Sequence, residues 1–408
     1  KDYGKEFVHF GGLKIFTTLD TRYQQFALRG ARNHLEALQG KVKKETGSMK
    51  LQVALVAIEN KSGAVKALLG GRNYSHSQFN RAVSNNRLPG SSFKPFVYLT
   101  AMETLGLSPA TVVVDEPVTI EIPGSKSWEP QNFDKEFAGN IVLKKALLKS
   151  INVVSAKLMQ QVGPEKVIRT ARKFGIKSPL GKNLSLALGT SGIAPLEIAS
   201  AYSVIANLGI YNEPYLIQQI EDFQGNRLYE HYYQGVQQFS PDTLYPLLDM
   251  MQGVVERGTG RIIRRMGFKH PAAGKTGTTN DFKDAWFNGF TKDISASVWV
   301  GYDDNDSMRT KSGRGLTGAS AAAPIWVHFM QKALAGKTRV KFPVPENIKF
   351  ATVDVETGRV PGEFSLEKIQ VAVKEDVDLS PLPIEDTESE GETELLQEIE
   401  SNEDLSNP

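Results

Sequence analysis

The 408-residue chain contains no cysteine, which excludes thiol nucleophiles, disulfide bridges and thiolate metal sites. Its histidines are few and scattered without ligand-like spacing, so we expect no metal and no cofactor. The six are His9, His34, His76, His231, His270 and His328. No stretch reaches the roughly twenty apolar residues that a membrane-spanning helix needs.

The sequence also lacks the start of a precursor. It begins at Lys1, with neither a methionine nor a signal-like segment. We therefore expect an excised or mature fragment whose membrane anchor lies outside this sequence.

Acidic residues are concentrated at one end of the chain. The net charge is +2, but residues 383–408 hold ten acidic residues and no basic one, which leaves +12 for the rest. The lysines and arginines of this basic body are dispersed rather than placed in stripes beside aromatic residues, so we do not expect nucleic acid as a partner. The acidic, aromatic-poor composition predicts a disordered tail over 376–408.

The first 49 residues predict a small linker module in front of the main domain. Residues 12–18 alternate like a strand, and Asp20 then caps a helix over 21–39 that ends at Gly40. This module is interpreted as a joint to a missing upstream domain.

The remaining chain alternates between β-like and helical patterns. Two apolar runs within 51–71 are joined by a turn at 59–63, which indicates a hairpin. Further β-like runs lie at 284–291 and 295–302, and helices are predicted over 92–105, 141–160, 164–174, 195–208 and 319–335. Strands at both ends with helices between them predict an α+β domain over 50–345 with an antiparallel sheet flanked by helices. Residues 346–375 predict an extension with short strands.

The segment Gly274-Lys275-Thr276-Gly277 resembles two unrelated kinds of site. A phosphate-binding loop needs a glycine five positions before Gly274, so that backbone N–H groups curl around the phosphates. Position 269 is a lysine, and the nearest upstream glycine is Gly267. The nucleotide interpretation is therefore weak, and Lys275 needs another explanation.

A serine and a lysine lie three residues apart at Ser91-Ser92-Phe93-Lys94, which places both side chains on one face if the segment is helical. Ser91 would stand at a helix N-terminus, where unpaired N–H groups and the helix dipole favour developing negative charge. Pro95 disfavours helical geometry at Lys94, so we expect a strained or irregular helix start.

Ser-x-x-Lys, Ser-x-Asn and Lys-Ser/Thr-Gly are each short enough to occur by chance. Additional matches lie at 365–368, 84–86, 61–63 and 311–313. Only 91–94, 150–152 and 275–277 place a helix start, a helix-flanking loop and a strand in one order, each beside an apolar run. The other matches are interpreted as turns or solvated surface.

The ordered set Ser91-x-x-Lys94, Ser150-x-Asn152, Lys275-Thr276-Gly277 resembles the transpeptidase domain of class A (bifunctional) penicillin-binding proteins. The sequences around these motifs also resemble this family, in the segments "QFNRA", "PGSSFKPF", "WEPQNFD", "ALGTSGIAPLEIASAYSVIAN" and "AAGKTGTTNDFKDAWFNGFT". The resemblance spans 50–335 and implies a penicillin-recognising serine acyltransferase fold with a helical subdomain. The opening "GGLKIFTTLD" resembles the segment that follows an upstream glycosyltransferase in such proteins.

The resemblance also implies roles for the site residues. Ser91 would be the acylated nucleophile, and Lys94 its base, which works only when neutral; Ser150 would relay a proton. Asn152 and Gly277 would contact the substrate peptide, while Lys275, Thr276 and Thr278 would hold its terminal carboxylate. The backbone N–H groups of Ser91 and Thr278 would form the oxyanion hole.

The same resemblance implies D-Ala-D-Ala stem peptides as substrates and β-lactams as inhibitors, at the outer face of the bacterial inner membrane. A D,D-carboxypeptidase or a β-lactamase would acylate the same serine and then use water. A penicillin sensor would acylate and signal. Two further interpretations stay open: Asn132 lines the cleft or serves as a cap, and the 303–306 acidic cluster binds a cation or forms a solvated turn.

Overall fold

The computed structural model describes residues 3–43, 50–84, 87–122, 124 and 126–380. The helices are α1 Lys5–Phe10, α2 Thr21–Gln39, α3 Lys94–Leu105, α4 Leu143–Lys149, α5 Asn152–Val162, α6 Pro164–Lys173, α7 Pro195–Ala206, α8 Pro241–Glu256, α9 Ile262–Arg265 and α10 Ala323–Ala333. The strands are β1 Lys14–Thr17, β2 Gln52–Glu59, β3 Val65–Leu69, β4 Val112–Asp115, β5 Gly139–Val142, β6 Ile210–Tyr211, β7 Ile217–Glu221, β8 Arg227–Glu230, β9 Val236–Gln237, β10 Ala273–Thr278, β11 Asp284–Phe290, β12 Ile294–Gly301, β13 Ile348–Asp354 and β14 Lys368–Lys374.

A five-stranded antiparallel sheet in the order β10-β11-β12-β2-β3 forms the centre of the fold. The predicted hairpin is β2 and β3, and β2 pairs on its other side with the central strand β12, which lies more than 200 residues later in the chain. Both faces of β2 are buried because alternate residues point to opposite sides. Val53, Leu55 and Ala57 pack with α2 and α10, while Ala54, Val56 and Ile58 face α7.

A second core lies among the helices on the far side of β10. It combines apolar residues from α3, α4, α5, α6, α7 and α8 with those of the β13–β14 hairpin. The α+β fold with a helical subdomain is thus confirmed. The short strands predicted in 346–375 are β13 and β14, and they share this core through Ile369, Val371 and Val373. The division of the chain at 49, 345 and 375 stays a prediction, and residues 381–408 of the predicted tail lie outside the described residues.

The linker helix α2 covers the edge strand β3. Asp20 caps α2 by accepting hydrogen bonds from the backbone N–H groups of Arg22 and Tyr23, as predicted. The side-chain amide of Gln24 bonds both backbone groups of Leu68, donating at 2.8 Å and accepting at 2.9 Å. The amide of Gln24 thus makes the hydrogen bonds that a further strand would make with Leu68. This protects the exposed edge of β3 from pairing with a strand of another chain.

The helix predictions differ from the structure in that one predicted helix is divided and helices α1, α8 and α9 were not predicted. The single helix expected over 141–160 is a short strand followed by α4 and α5, with a break at Ser150 and Ile151. Helix α8 was not predicted at all, because Pro246 interrupts its pattern and proline is unfavourable inside a helix. No helix among the described residues is long and apolar enough to cross a membrane.

Candidate active site

Ser91 lies in a tight turn rather than in a regular helix. A 3-10 turn covers Gly90–Phe93, and α3 begins at Lys94 with Pro95 in its first turn. The 3-10 turn makes the start irregular, as predicted, but Lys94 itself is helical, with φ −54° and ψ −38°, so the expected effect of Pro95 on Lys94 is wrong. Proline is tolerated in the first turn of a helix because its missing N–H has no partner to lose there. Gly90 has a φ of 55° and lies against the backbone of Thr278, so a Cβ there would meet Thr278 O at 2.9 Å.

Three buried side chains hold this turn in place. Trp286 Nε1 donates to the carbonyl of Leu88 at 2.8 Å, and Tyr202 Oη donates to the carbonyl of Ser92 at 2.8 Å. Asn288 Nδ2 donates to Ser92 Oγ at 2.8 Å, so the hydroxyl of Ser92 is fully buried and committed to a structural bond. Ser91 differs from Ser92 in being only half-buried.

Ser150 occupies the break between α4 and α5. Its backbone is left-handed, with φ 61° and ψ 41°, a conformation that a serine adopts only when surrounding contacts stabilise it. The carbonyl groups of Ser150 and Ile151 are turned towards Lys94 Nζ, at 2.6 and 3.1 Å. Lys94 Nζ also donates to Asn152 Oδ1 at 2.7 Å and approaches Ser150 Oγ at 3.4 Å.

Lys275 reaches the same hydroxyl from the opposite side. Its Nζ donates to Ser150 Oγ at 2.7 Å and to the carbonyl of Thr276 at 3.2 Å. Both lysines are completely buried. Burial lowers the pKa of Lys275 to about 7, and burial together with the charge of Lys275 holds the pKa of Lys94 well below its usual value. Both effects make the neutral amine of Lys94 easier to form than that of an exposed lysine.

The strand β10 presents its open edge to the cleft. The N–H of Thr279 donates to the carbonyl of Asp284 in the β11 ladder, and alternate residues of an antiparallel pair face away from the partner. The N–H of Thr278 therefore points to the open edge, beside the Gly90–Ser91 turn. Thr278 Oγ1 accepts a bond from Gly318 N at 3.1 Å, and Thr276 Oγ1 is 2.7 Å from Thr259 Oγ1.

Gly277 lies in β10, next to the turn that carries Ser91. Its predicted contact with the substrate peptide stays a prediction. A Cβ at Gly277 would lie 2.5 Å from Ser92 Oγ and 3.0 Å from Trp286 Cβ, and nearer still to the carbonyl oxygen of Pro89. The glycine therefore allows β10 to pack directly against the turn that carries Ser91.

The structure brings the three predicted motifs together and separates them from the chance matches. Lys61–Gly63 lies in the β2–β3 turn, Lys311–Gly313 is exposed, and Ser365 lies after β13. In the remaining chance match, Asn85 and Asn86 lie outside the described residues.

The acidic cluster at 303–306 is only partly a solvated turn. Asp303 accepts hydrogen bonds from the buried guanidinium of Arg81, with 2.6 Å between Nε and Oδ1. Arg81 also donates to the carbonyls of Gly70 and Phe79. Among the described residues no group of three or more acidic or histidine side chains could hold a metal ion.

Sequence reasoning missed the side chains that support the site, above all Asn288. Tyr202 and Trp286 are likewise buried core residues, each with one polar contact to the turn that carries Ser91. The signal that could have identified Asn288 is an amide inside an otherwise apolar strand, since a buried amide needs a polar partner.

Comparison with known proteins agrees with this geometry. Residues 53–330 match the penicillin binding protein transpeptidase domain family. The chain is 36% identical over 361 residues to penicillin-binding protein 1A of Pseudomonas aeruginosa, covering 76% of this chain and 43% of that protein. It is 41% identical over 307 residues to penicillin-binding protein 1A of Neisseria gonorrhoeae, covering 73% and 38%. The chain thus spans less than half the length of these two relatives.

Solved structures show the same fold. Penicillin-binding protein 1A from Haemophilus influenzae is 24% identical with a TM-score of 0.81, over 93% of this chain and 75% of that chain. PonA1 from Mycobacterium tuberculosis in complex with penicillin V is 27% identical with a TM-score of 0.72, over 84% and 91%. The resemblance inferred from the three motifs is confirmed, and the chain belongs to the penicillin-binding protein transpeptidase family.

Proposed function

We propose that this chain is a serine-type D,D-transpeptidase that joins peptidoglycan stem peptides through an acyl-enzyme on Ser91 and is inhibited covalently by β-lactams. The observation that carries the proposal is the position of Ser150 Oγ between two completely buried lysines, 2.7 Å from Lys275 Nζ and 3.4 Å from Lys94 Nζ. A hydroxyl with an amine on each side can pass a proton between them, which is what acyl transfer without a histidine requires.

In the acylation step, Ser91 Oγ attacks the carbonyl carbon between the two terminal D-alanines while its proton moves to neutral Lys94 Nζ. A neutral amine has two N–H donors and one lone pair. Its two shortest contacts, to the carbonyl of Ser150 and to Asn152 Oδ1, engage both donors and leave the lone pair for Ser91. The backbone N–H groups of Ser91 and Thr278 would stabilise the oxyanion, where one donor contributes about 3 kcal/mol to lowering the barrier.

Collapse of the tetrahedral intermediate breaks the C–N bond, and the departing D-alanine amine takes a proton through Ser150 Oγ. The acyl group then remains as an ester on Ser91. An amine of a neighbouring stem peptide attacks this ester, which releases the cross-linked product and returns the proton to Ser91 Oγ. The choice of an amine rather than water distinguishes a transpeptidase from a D,D-carboxypeptidase.

The terminal carboxylate of the donor peptide would bind at the open edge of β10. Thr278 Oγ1 already accepts a hydrogen bond from Gly318 N, so its own proton is available to donate to a carboxylate. An arriving carboxylate also stabilises the charged form of Lys275, whose pKa of about 7 lets it respond near neutral pH. Thr276, Gly277 and Asn152 complete the proposed substrate contacts.

The complete protein is proposed to carry the segments that this chain lacks relative to its relatives. These would be an upstream glycosyltransferase domain and a membrane anchor that hold the transpeptidase at the periplasmic face of the inner membrane. The linker module at 1–49 would join the two enzymatic domains.

Covalent labelling with a fluorescent penicillin tests the proposal. Ser91→Ala should abolish labelling while the thermal unfolding midpoint stays within a few degrees of the parent. Ser365→Ala is the matched control, because it changes the serine of the second Ser-x-x-Lys match and should label normally. Mass spectrometry of the labelled parent should locate the adduct on the peptide that contains Ser91. Labelling of Ser91→Ala at the parental level would refute the nucleophile.

The remaining alternatives differ in how the acyl-enzyme is resolved. Rapid multiple-turnover hydrolysis of nitrocefin would indicate a β-lactamase, and release of D-alanine without cross-linked product would indicate a carboxypeptidase. A stoichiometric burst, followed by cross-linking when an acceptor amine is supplied, supports the transpeptidase. A sensor would acylate but form no cross-linked product.

A further inference from the structure

Helix α5 begins at Asn152 without a cap from its own segment. The residue before it is Ile151, whose side chain cannot accept a hydrogen bond from the first N–H groups of the helix. Such groups need a partner when they are buried. Here the partner comes from a distant loop, since Asn132 Oδ1 accepts from Asn152 N at 3.0 Å and from Val153 N at 3.2 Å.

A buried carboxylate fixes the orientation of this capping amide. Asn132 Nδ2 donates to Asp115 Oδ1 and Oδ2 at 2.9 and 3.0 Å. Asp115 is 1% exposed, and its Oδ2 also accepts from the N–H of Ala138 at 2.9 Å. The N–H groups at the start of α5 need an acceptor, which only the oxygen of the Asn132 amide can supply. The nitrogen of Asn132 must therefore face Asp115, and its oxygen must face α5.

We propose that Asp115 and Asn132 are positioning residues for acyl transfer, which fix the first turn of α5 and through it the amide of Asn152 that contacts Lys94. This inference rests on the proposed function. Asn152 Oδ1 lies 2.7 Å from Lys94 Nζ, so a shift of the α5 start moves a contact of the base itself. Neither positioning residue touches the substrate or the reacting atoms.

Exchanging an amide and a carboxylate within this pair changes hydrogen-bond direction while keeping shape. In Asp115→Asn, the remaining oxygen can still accept from the Asn132 amide and from the N–H of Ala138, as Oδ2 does now. The new NH2 group, however, takes the position of Oδ1, where it faces the NH2 group of Asn132. If the Asn132 amide rotates to compensate, its NH2 group faces the N–H groups of α5. In Asn132→Asp, two carboxylates face each other in a buried site, where one must take a proton or move away.

The reciprocal exchange restores the match. In the double variant Asp115→Asn with Asn132→Asp, one oxygen of the new carboxylate accepts from α5 and the other accepts from the new amide. The amide oxygen of residue 115 then accepts from the N–H of Ala138. The carbonyl of Glu136, which now accepts from Asn132 Nδ2 at 2.9 Å, would lose this donor and face a carboxylate oxygen, so the match is restored at α5, at residue 115 and at Ala138 but not at Glu136.

Acylation by a fluorescent penicillin provides the test, with binding and acylation rate constants measured separately. Each single variant should lower the acylation rate constant at least tenfold, because a misplaced catalytic contact of about 1 Å can cost about 100-fold. The double variant should return to within fivefold of the parent. Asp134→Asn, which removes an exposed carboxylate from the same loop, should acylate at the parental rate.

Recovery in the double variant separates positioning from simple packing. Two independent defects would multiply, so a double variant slowed by more than fivefold, or one that does not fold, overturns the proposal. Parental rates in both single variants also overturn it. If a single variant does not fold, the acylation rate constant of the double variant alone decides whether the proposal holds, with the same fivefold limit. Failure of the parent to acylate at Ser91 would instead refute the proposed function.

Discussion

A methyl group added at Gly277 should displace the turn that carries Ser91. The new carbon would lie 2.5 Å from Ser92 Oγ and closer still to the carbonyl oxygen of Pro89. Carbon–oxygen contacts begin at about 3.3 Å, so the turn must retreat from β10 by at least about 0.8 Å. Ser92 cannot simply rotate away, because Asn288 Nδ2 holds its hydroxyl at 2.8 Å.

This displacement separates the two proposed oxyanion donors, which lie on opposite sides of the contact. Ser91 moves with the turn, whereas Thr278 stays on β10. A misplacement of about 1 Å lowers a rate by about 100-fold, so Gly277→Ala should slow acylation by a fluorescent penicillin by a factor of this order. Overpacking should also lower the free energy of unfolding by about 1–3 kcal/mol.

Two other glycine variants show whether the slower acylation of Gly277→Ala comes from displacement of the turn that carries Ser91. Gly274→Ala is overpacked in the same strand, but its methyl carbon would meet the carbonyl of Asn288, 2.7 Å away, and not the turn. It should lose similar stability with a much smaller effect on acylation. Gly362→Ala has open space around the new carbon and should change neither quantity. Acylation of a folded Gly277→Ala within threefold of the parent would refute the reasoning.

Two further predictions concern charge. Lys275→Met should move the acid limb of the acylation pH profile to higher pH, because burial remains but the positive charge that helps to lower the pKa of Lys94 is removed; an unchanged or lower limb in a labelling-rate series would contradict this. Arg81→Met should lower the free energy of unfolding by about 2 kcal/mol in denaturant titrations, because Asp303 and the carbonyl of Phe79 each lose a hydrogen-bond donor, while Arg87 remains 3.7 Å from Asp303. A loss below about 1 kcal/mol would show that the pair contributes little.

Features that depend on neighbouring residues could be predicted from the sequence. The cap at Asp20 and the end of α2 at Gly40 follow from side-chain chemistry within one turn of the helix. The β2–β3 hairpin follows from two apolar runs and a turn. The order of the strands in the sheet could not be obtained in this way. β2 pairs with β12, and the more than 200 residues between these strands give no local pattern that specifies which strands pair or in which register.

The break at Ser150 shows why local patterns fail at the site. Residues 143–162 carry apolar side chains at helical spacing on both sides of the break, so the sequence predicts one continuous helix. The structure instead places Ser150 in a left-handed conformation that a helix excludes. Its stabilising partners, Lys94 and Lys275, are 56 and 125 residues away. A conformation that depends on such distant contacts cannot be identified from its own segment.

The protonation state of the site depends even more on distant residues. Motif order identified Lys94 and Lys275, but a lysine in a motif is charged unless its surroundings make it neutral. Burial of Lys94 requires α3, α5 and β10 to meet, and its oxygen contacts at Ser150, Ile151 and Asn152 would by themselves stabilise the ammonium form. Desolvation and the second lysine oppose those contacts and lower the pKa. The reactivity of Lys94 as the proposed base is therefore a balance between opposing contacts, which exists only in the assembled fold.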